Sequence, residues 1–122
     1  MKIVIRYLFI PVILFLLVSC EQDRKKDIVY QVSNNSNGFL VHYRDSNGQL
    51  IKNGVDVQSK EDVWKYSFEA DEGDIVFVSA KYDNPTDGIR IMILIDGKTY
   101  KQGSSLYDTL NFVTVSGTVP FD

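Results

Sequence analysis

The chain has 122 residues, and its 16 Asp and Glu residues outnumber 13 Lys and Arg residues, which gives a formal net charge of −3 at pH 7. A mildly acidic protein without a basic stripe is not expected to bind nucleic acid, because that binding needs clustered cations against the phosphates. One cysteine and one histidine exclude an internal disulfide and a zinc site built from Cys and His ligands.

The first 19 residues have the pattern of a bacterial lipoprotein signal peptide. Lys2 and Arg6 precede an uncharged run of 12 residues, 7–18, whereas a membrane-spanning helix needs about 20. The run ends in Leu-Val-Ser-Cys at 17–20, which resembles the bacterial lipobox. That motif implies that the Cys20 thiol is lipidated and that the chain is cleaved before it. Two acyl chains hold a protein stably at a membrane, where one chain binds only marginally.

The residues after the lipobox predict a short tether and then one domain. Residues 20–27 carry three acidic and three basic side chains, which cancel and indicate a solvated linker. Residues 28–122 are long enough to form a packed core without disulfides. The predicted location is the cell envelope, in the outer rather than the inner membrane, with the domain facing the periplasm or the cell surface.

The domain reads as a chain of short strands. Turn signals recur as Asn-Gly at 37–38, 47–48 and 53–54 and as Asp-Gly at 87–88 and 96–97. No helical period is sustained. The runs between the turns are rich in β-branched and aromatic residues, and they predict seven strands: Ile28–Ser33, Phe39–Arg44, Val63–Glu69, Asp74–Tyr82, Ile89–Ile95, Lys98–Gln102 and Asn111–Val119. The predicted fold is all-β, a small single-domain antiparallel β-sandwich of the immunoglobulin-like kind.

The clearest alternation places Trp64, Tyr66 and Phe68 on one face of a strand. Large aromatic side chains in strict alternation are typical of a core-facing strand. A sugar-binding platform is the alternative.

Two predicted strands are apolar on both faces, which a solvated sheet does not favour. The second faces of these strands carry Val76 and Val78 on one strand and Met92 and Leu94 on the other. Either another part of the chain covers these side chains, or they form a surface for a partner.

The sequence offers little that predicts chemistry. His42 is the sole histidine and lies in an alternating strand, and the serines lack a nucleophile elbow. The acidic segments 69–74 and 83–88 could supply oxygen ligands to calcium, but neither has the spacing of a known calcium loop. Acidic, Asn, Pro and Gly residues are typical of solvated turns, which is the preferred interpretation. We therefore predict no catalytic residue, no metal site and no cofactor. Asp-Thr-Leu at 108–110 resembles an O-glycosylation signal of Bacteroidetes envelope proteins, which would modify Thr109.

The mature part of the chain resembles the mycobacterial small membrane protein (MmpS) family, whose extracytoplasmic domain is a small β-sandwich. The similar elements keep their order over nearly the whole domain: IVYQV at 28–32, VHYRDSNG at 41–48, Trp64, GDIVFVSA at 73–80, IRIMILIDGKTY at 89–100 and SGTV at 116–119. The resemblance implies a non-enzymatic accessory protein of exporters of the resistance-nodulation-division class. Proteins of that family are held by a transmembrane helix, whereas the lipobox here is typical of Gram-negative lipoproteins such as those of Bacteroidetes.

Three function classes remain open. The first is an envelope accessory or binding module, held to membrane lipid through Cys20 and contacting an envelope protein complex. The second is a surface module that recognises or inhibits a foreign protein or binds a glycan. A small hydrolase is the third, and the non-enzymatic classes are preferred because no tuned acid or base can be assembled in a pocket.

Overall fold

A computed structural model describes residues 25–84, 86–106 and 111–121, and every regular element in them is a β-strand. The strands are β1 (Lys25–Ser33), β2 (Phe39–Arg44), β3 (Leu50–Val55), β4 (Trp64–Asp71), β5 (Ile75–Lys81), β6 (Gly88–Ile95), β7 (Lys98–Leu106) and β8 (Phe112–Thr118). Sheet A has the order β4-β1-β6-β7, and sheet B has the order β3-β2-β5-β8. All pairings are antiparallel. The predicted all-β sandwich is confirmed.

Strand β3 was not predicted, because Asn53-Gly54 was interpreted as a turn. In the structure Asn53 pairs with Val41 and Gly54 pairs with Leu40 inside a regular ladder. The strand lies at the edge of sheet B and is largely exposed. Its weak β-forming residues are therefore tolerated, since pairing with β2 rather than burial holds the strand in place.

Two of the five predicted turn signals do close hairpins. The loop at Asn47-Gly48 joins β2 to β3, and the carboxylate of Asp45 accepts hydrogen bonds from the backbone of Asn47 and Gln49, each 2.9 Å long. Asp96 and Gly97 join β6 to β7 with φ angles of 51° and 81°. Two successive positive φ angles match the right-handed twist of the hairpin that they connect.

The boundary between tether and domain lies earlier than predicted. Strand β1 begins at Lys25 rather than Ile28, and Lys25 and Lys26 pair with Asp71 and Ala70 of β4. Asp27 extends this order by bonding to the β6–β7 turn, where its amide donates to the Asp96 carboxylate at 2.9 Å. Three residues assigned to the tether therefore belong to the sheet, whereas residues 20–24 lie outside the described residues.

The core lies between the two sheets, and on β4 and β6 it is built from the faces that alternation predicted. Strand β6 contributes Ile89, Ile91, Ile93 and Ile95. Trp64, Tyr66 and Phe68 also face inward, but they are only half-buried because β4 is an edge strand. The Trp64 ring packs against Tyr43 with a centroid separation of 5.2 Å, so the aromatic row belongs to the rim of the core.

Tyr30 of sheet A links the two sheets through hydrogen bonds to sheet B. Its fully buried hydroxyl donates to the Arg44 carbonyl at 2.9 Å and accepts from the Phe77 amide at 3.3 Å. The β2–β5 ladder ends at the pair Tyr43 and Val78, so Arg44 and Phe77 would form the next pair. The hydroxyl takes the place of that ladder hydrogen bond. Burial raises the pKa of Tyr30 to about 12, which keeps the donor protonated.

Tyr100 makes a similar link at the other side of the sandwich. A register shift in the β6–β7 ladder leaves Tyr100 as the extra residue of a bulge. Its hydroxyl donates to the Thr118 carbonyl at 2.8 Å and accepts from the Thr118 amide at 3.3 Å. The ring lies over Gly117, where an added Cβ would come within 2.7 Å of it. The bulge therefore joins β7 of sheet A to β8 of sheet B.

Candidate binding surfaces

The predicted site residues do not form one site. Cys20 and Thr109 lie outside the described residues. Val76 and Val78 are fully buried in the core, so the prediction of a partner surface was wrong for these two. Both faces of β5 are apolar, and the face that carries Val76 and Val78 is the one that packs against sheet A. Only Met92 and Leu94 remain of the predicted surface.

Met92 and Leu94 lie on the outer face of sheet A. The ladder places Leu94 beside Val29 of β1, and all three side chains are half-buried. We call Val29, Met92 and Leu94 the sheet A strip. It is a narrow apolar surface in the middle of an otherwise polar sheet.

Polar residues flank the sheet A strip on both sides. On the β4 side the outward residues are Lys65, Ser67 and Glu69, all exposed. Towards β7, the Arg90 guanidinium donates to the Gln102 side chain at 2.7 Å. A shallow groove of about 480 Å³ follows β6 and β7, lined by Asn34, Gly88–Arg90 and Gln102–Ser105. This arrangement of an apolar centre and a hydrogen-bonding rim is typical of protein interfaces.

A second apolar surface lies on the outer face of sheet B. Leu50 and Ile75 are exposed and Phe77 is half-buried. With Arg44 and Gly48 these three line a recess of about 320 Å³. The sequence did not predict this surface. Leu50 belongs to β3, which was not predicted. Ile75 was predicted to share a face of β5 with Phe77, but nothing in the sequence indicated that this is the outer face.

Asp87 is nearly fully buried, and its hydrogen bonds give it a structural role. Its carboxylate accepts from the amide and hydroxyl of Ser36, from the Asn37 side chain and from the Gly88 amide, over 2.9–3.2 Å. Burial alone would raise the pKa of Asp87, but these hydrogen bonds outweigh it and hold the pKa below its usual value. Neighbouring Asn35 is also buried and donates to the Gly88 carbonyl at 3.1 Å. Together they tie the β1–β2 loop to the start of β6.

The remaining candidates for chemistry are dispersed. His42 is half-buried on the outer face of sheet B, level with Lys52 and Ser79 of the adjacent strands. In the acidic turn after β4, the Asp74 carboxylate accepts from the Asp71 amide at 3.0 Å. Within residues 25–84, 86–106 and 111–121, no three His, Cys, Asp or Glu side chains are grouped as a metal site would require.

Neither a protein-family model nor a curated protein matches this sequence. The resemblance to the MmpS family therefore stays a prediction. In the part of the chain that the structure describes, no helix has the length and apolar character needed to cross a membrane.

Proposed function

We propose that this protein is a lipid-anchored cell-envelope protein that acts by binding another envelope protein, and not by catalysis. The observation that carries the proposal is the sheet A strip. Val29, Met92 and Leu94 remain partly exposed in the middle of a sheet whose other outward side chains are polar.

The strip is suited to a modest, specific interaction. Full burial of a Leu or Met side chain contributes about 1.5–3 kcal/mol. Covering the smaller, exposed part of these three side chains therefore offers on the order of 1–2 kcal/mol before polar contacts are counted. The polar groups of Arg90, Gln102 and Lys65 surround the strip and could fix the orientation of a partner. A membrane anchor raises the effective concentration of both proteins, so a weak contact suffices.

Two sequence features support the envelope location and the kind of partner. The lipobox at 17–20 supports a lipid anchor on Cys20. The resemblance to the MmpS family supports a transport complex of the envelope as the partner, with the sandwich as an accessory subunit.

Site-specific cross-linking in cells tests this proposal. A photoreactive phenylalanine analogue replaces Met92, and the matched control carries it at Thr114, an exposed position on the outer face of sheet B. We expect the Met92 position to give a discrete cross-linked envelope protein that the Thr114 position does not give. A second substitution, Leu94→Lys, is added to the protein that carries the analogue at position 92. It should remove the cross-link without lowering the melting temperature. Identical products at Met92 and Thr114 would contradict a partner surface on sheet A.

A second candidate function is glycan recognition by the aromatic row of β4. Trp64, Tyr66 and Phe68 are half-buried at the open edge of sheet A, where a ring face left exposed could stack on a sugar ring. Trp64 is the sole tryptophan and reports on this edge directly. A saturable change of its emission with purified cell-surface glycan fragments is expected for a glycan-binding module, and unchanged emission across such fragments would refute this alternative.

A further inference from the structure

The strand directions define one end of the sandwich as the end where β1 begins, which we call the entry end. Lys25 pairs there with Asp71, the last residue of β4, and Asp27 bonds to the β6–β7 turn. The β4–β5 turn lies at the same end and bonds to the residue after β8, since the Gly73 amide donates to the Val119 carbonyl at 2.9 Å. The β2–β3 turn also lies there: residues 44–48 share a pocket of about 190 Å³ with Phe68, Ala70, Asp74 and Ile75.

The entry end carries the most exposed large apolar side chains of the described residues. Five such side chains are exposed, of which Phe121, Leu50 and Ile75 are 74%, 65% and 53% accessible to solvent. All three belong to the entry end: Phe121 packs on Gly73 of the β4–β5 turn, Ile75 begins β5, and Leu50 begins β3. The other two, Phe112 at 50% and Val63 at 46%, lie at the opposite end.

The proposed anchor brings this end close to the bilayer. Four residues, 21–24, separate Cys20 from Lys25, so even a fully extended linker reaches only about 18 Å at 3.3–3.6 Å per residue. The domain cannot then be remote from the lipid surface, and the end that faces it holds the three apolar side chains.

We propose that the entry end docks on a zwitterionic lipid surface, with Leu50, Ile75 and Phe121 inserted at the interface. This inference rests on the lipid anchor of the proposed function. A zwitterionic surface fits the charges. The entry end has four basic side chains, Lys25, Lys26, Arg44 and Lys98, and six acidic ones, Asp27, Asp45, Asp71, Glu72, Asp74 and Asp96. An anionic surface would repel this excess of carboxylates.

Docking in this way would also orient the molecule. Leu50 and Ile75 lie on the outer face of sheet B, so their insertion turns sheet B towards the membrane. The sheet A strip, on the opposite outer face, would then be directed away from the lipid and be accessible to a protein partner.

Depth-dependent quenching on the full chain tests this inference. Single substitutions Ile75→Cys and Phe121→Cys at the entry end, and Phe112→Cys and Val63→Cys at the opposite end, each add one free thiol for an environment-sensitive fluorophore. The lipidated protein is reconstituted in phosphatidylcholine and phosphatidylethanolamine vesicles with or without brominated acyl chains. We expect at least twofold stronger quenching for the entry-end labels, and weaker quenching of the same labels in phosphatidylglycerol vesicles. The parent protein should take no label, because Cys20 is blocked.

The outcomes separate this inference from the anchor on which it rests. Labelling of Cys20 together with failure to co-float with vesicles would refute the anchor and the docking alike. Co-flotation with equal quenching at both ends would leave the anchor standing and overturn the docking. A third outcome would also overturn the docking. If the entry-end labels are shielded in native membranes but are not quenched in vesicles that contain no other protein, then a protein and not lipid covers this end.

Discussion

At the scale of single residues, two buried polar side chains determine how the sandwich is assembled. Tyr30 replaces a missing ladder hydrogen bond between β2 and β5, and Asp87 organises the β1–β2 loop. Neither role could be predicted from the sequence, because each depends on hydrogen-bonding groups more than 10 residues away along the chain. The sequence predicts that Tyr30 lies in a strand, Ile28–Ser33, but not which groups its hydroxyl contacts.

Tyr30→Phe removes the hydroxyl that bonds to the Arg44 carbonyl and the Phe77 amide, so both backbone groups lose this hydrogen bond. An unsatisfied buried polar group costs about 1–3 kcal/mol, and we expect a loss of unfolding free energy in that range by urea denaturation. Tyr100→Phe is the matched control, since its two hydrogen bonds to Thr118 lie in an exposed position and water can replace them. Equal losses for the two variants would contradict the role assigned to burial.

Asp87→Asn tests the lowered pKa of Asp87. A carboxyl whose pKa is lower in the folded than in the unfolded state stabilises the protein above the unfolded pKa, near 4, and that contribution disappears as the pH falls through the folded value. Hydrogen bonds to a charged group are worth about 1.5–3 kcal/mol, so the variant should be less stable by a comparable amount at pH 7. The difference in unfolding free energy should stay constant between pH 7 and 5 and shrink below pH 4. A difference that persists unchanged at pH 2 would refute the assignment.

At the scale of elements, the sequence predicts strands well wherever burial imposes a strict alternation. Strands β2, β5 and β6 were predicted to within one residue of their bounds because their inward faces are continuous rows of apolar residues. Strand β3 was missed because pairing with β2, and not burial, defines it. The choice of outer face on β5 failed for a related reason: Ile75 and Phe77 are as apolar as Val76 and Val78, and only the packing of sheet A distinguishes the two faces.

Two glycines separate the effect of backbone conformation from that of packing. At both Gly54 and Gly97 an added Cβ would meet no atom within 4 Å, but Gly97 has a φ of +81° whereas Gly54 has no positive φ. Gly54→Ala should therefore stabilise the protein by about 0.4–1 kcal/mol by restricting the unfolded chain, and Gly97→Ala should destabilise it by more than that. Thermal unfolding of the two variants measures the difference. Two shifts of the same sign would contradict the regular strand at Asn53-Gly54.

At the scale of the whole molecule, the position of β1 allows the proposed lipid anchor to be tested separately from the fold. Cys20 lies outside the described residues, and the sheet begins five positions later at Lys25, held by β4 and the β6–β7 turn. Loss of a lipid on Cys20 should thus change where the protein is found without changing how it folds.

Cys20→Ser tests this separation. We expect the variant to lose incorporation of a labelled fatty acid and to accumulate either as unprocessed precursor or as soluble protein, since a serine hydroxyl cannot form the thioether. Ser19→Ala, which keeps the thiol and places another small residue before it, is the matched control and should be labelled like the parent. The melting temperature of soluble Cys20→Ser should match that of the detergent-solubilised parent, because no described residue of the sandwich is altered. Fatty-acid labelling that persists in Cys20→Ser would contradict an anchor on Cys20. It would also contradict the docked orientation that leaves sheet A accessible to a partner, because that orientation depends on the anchor.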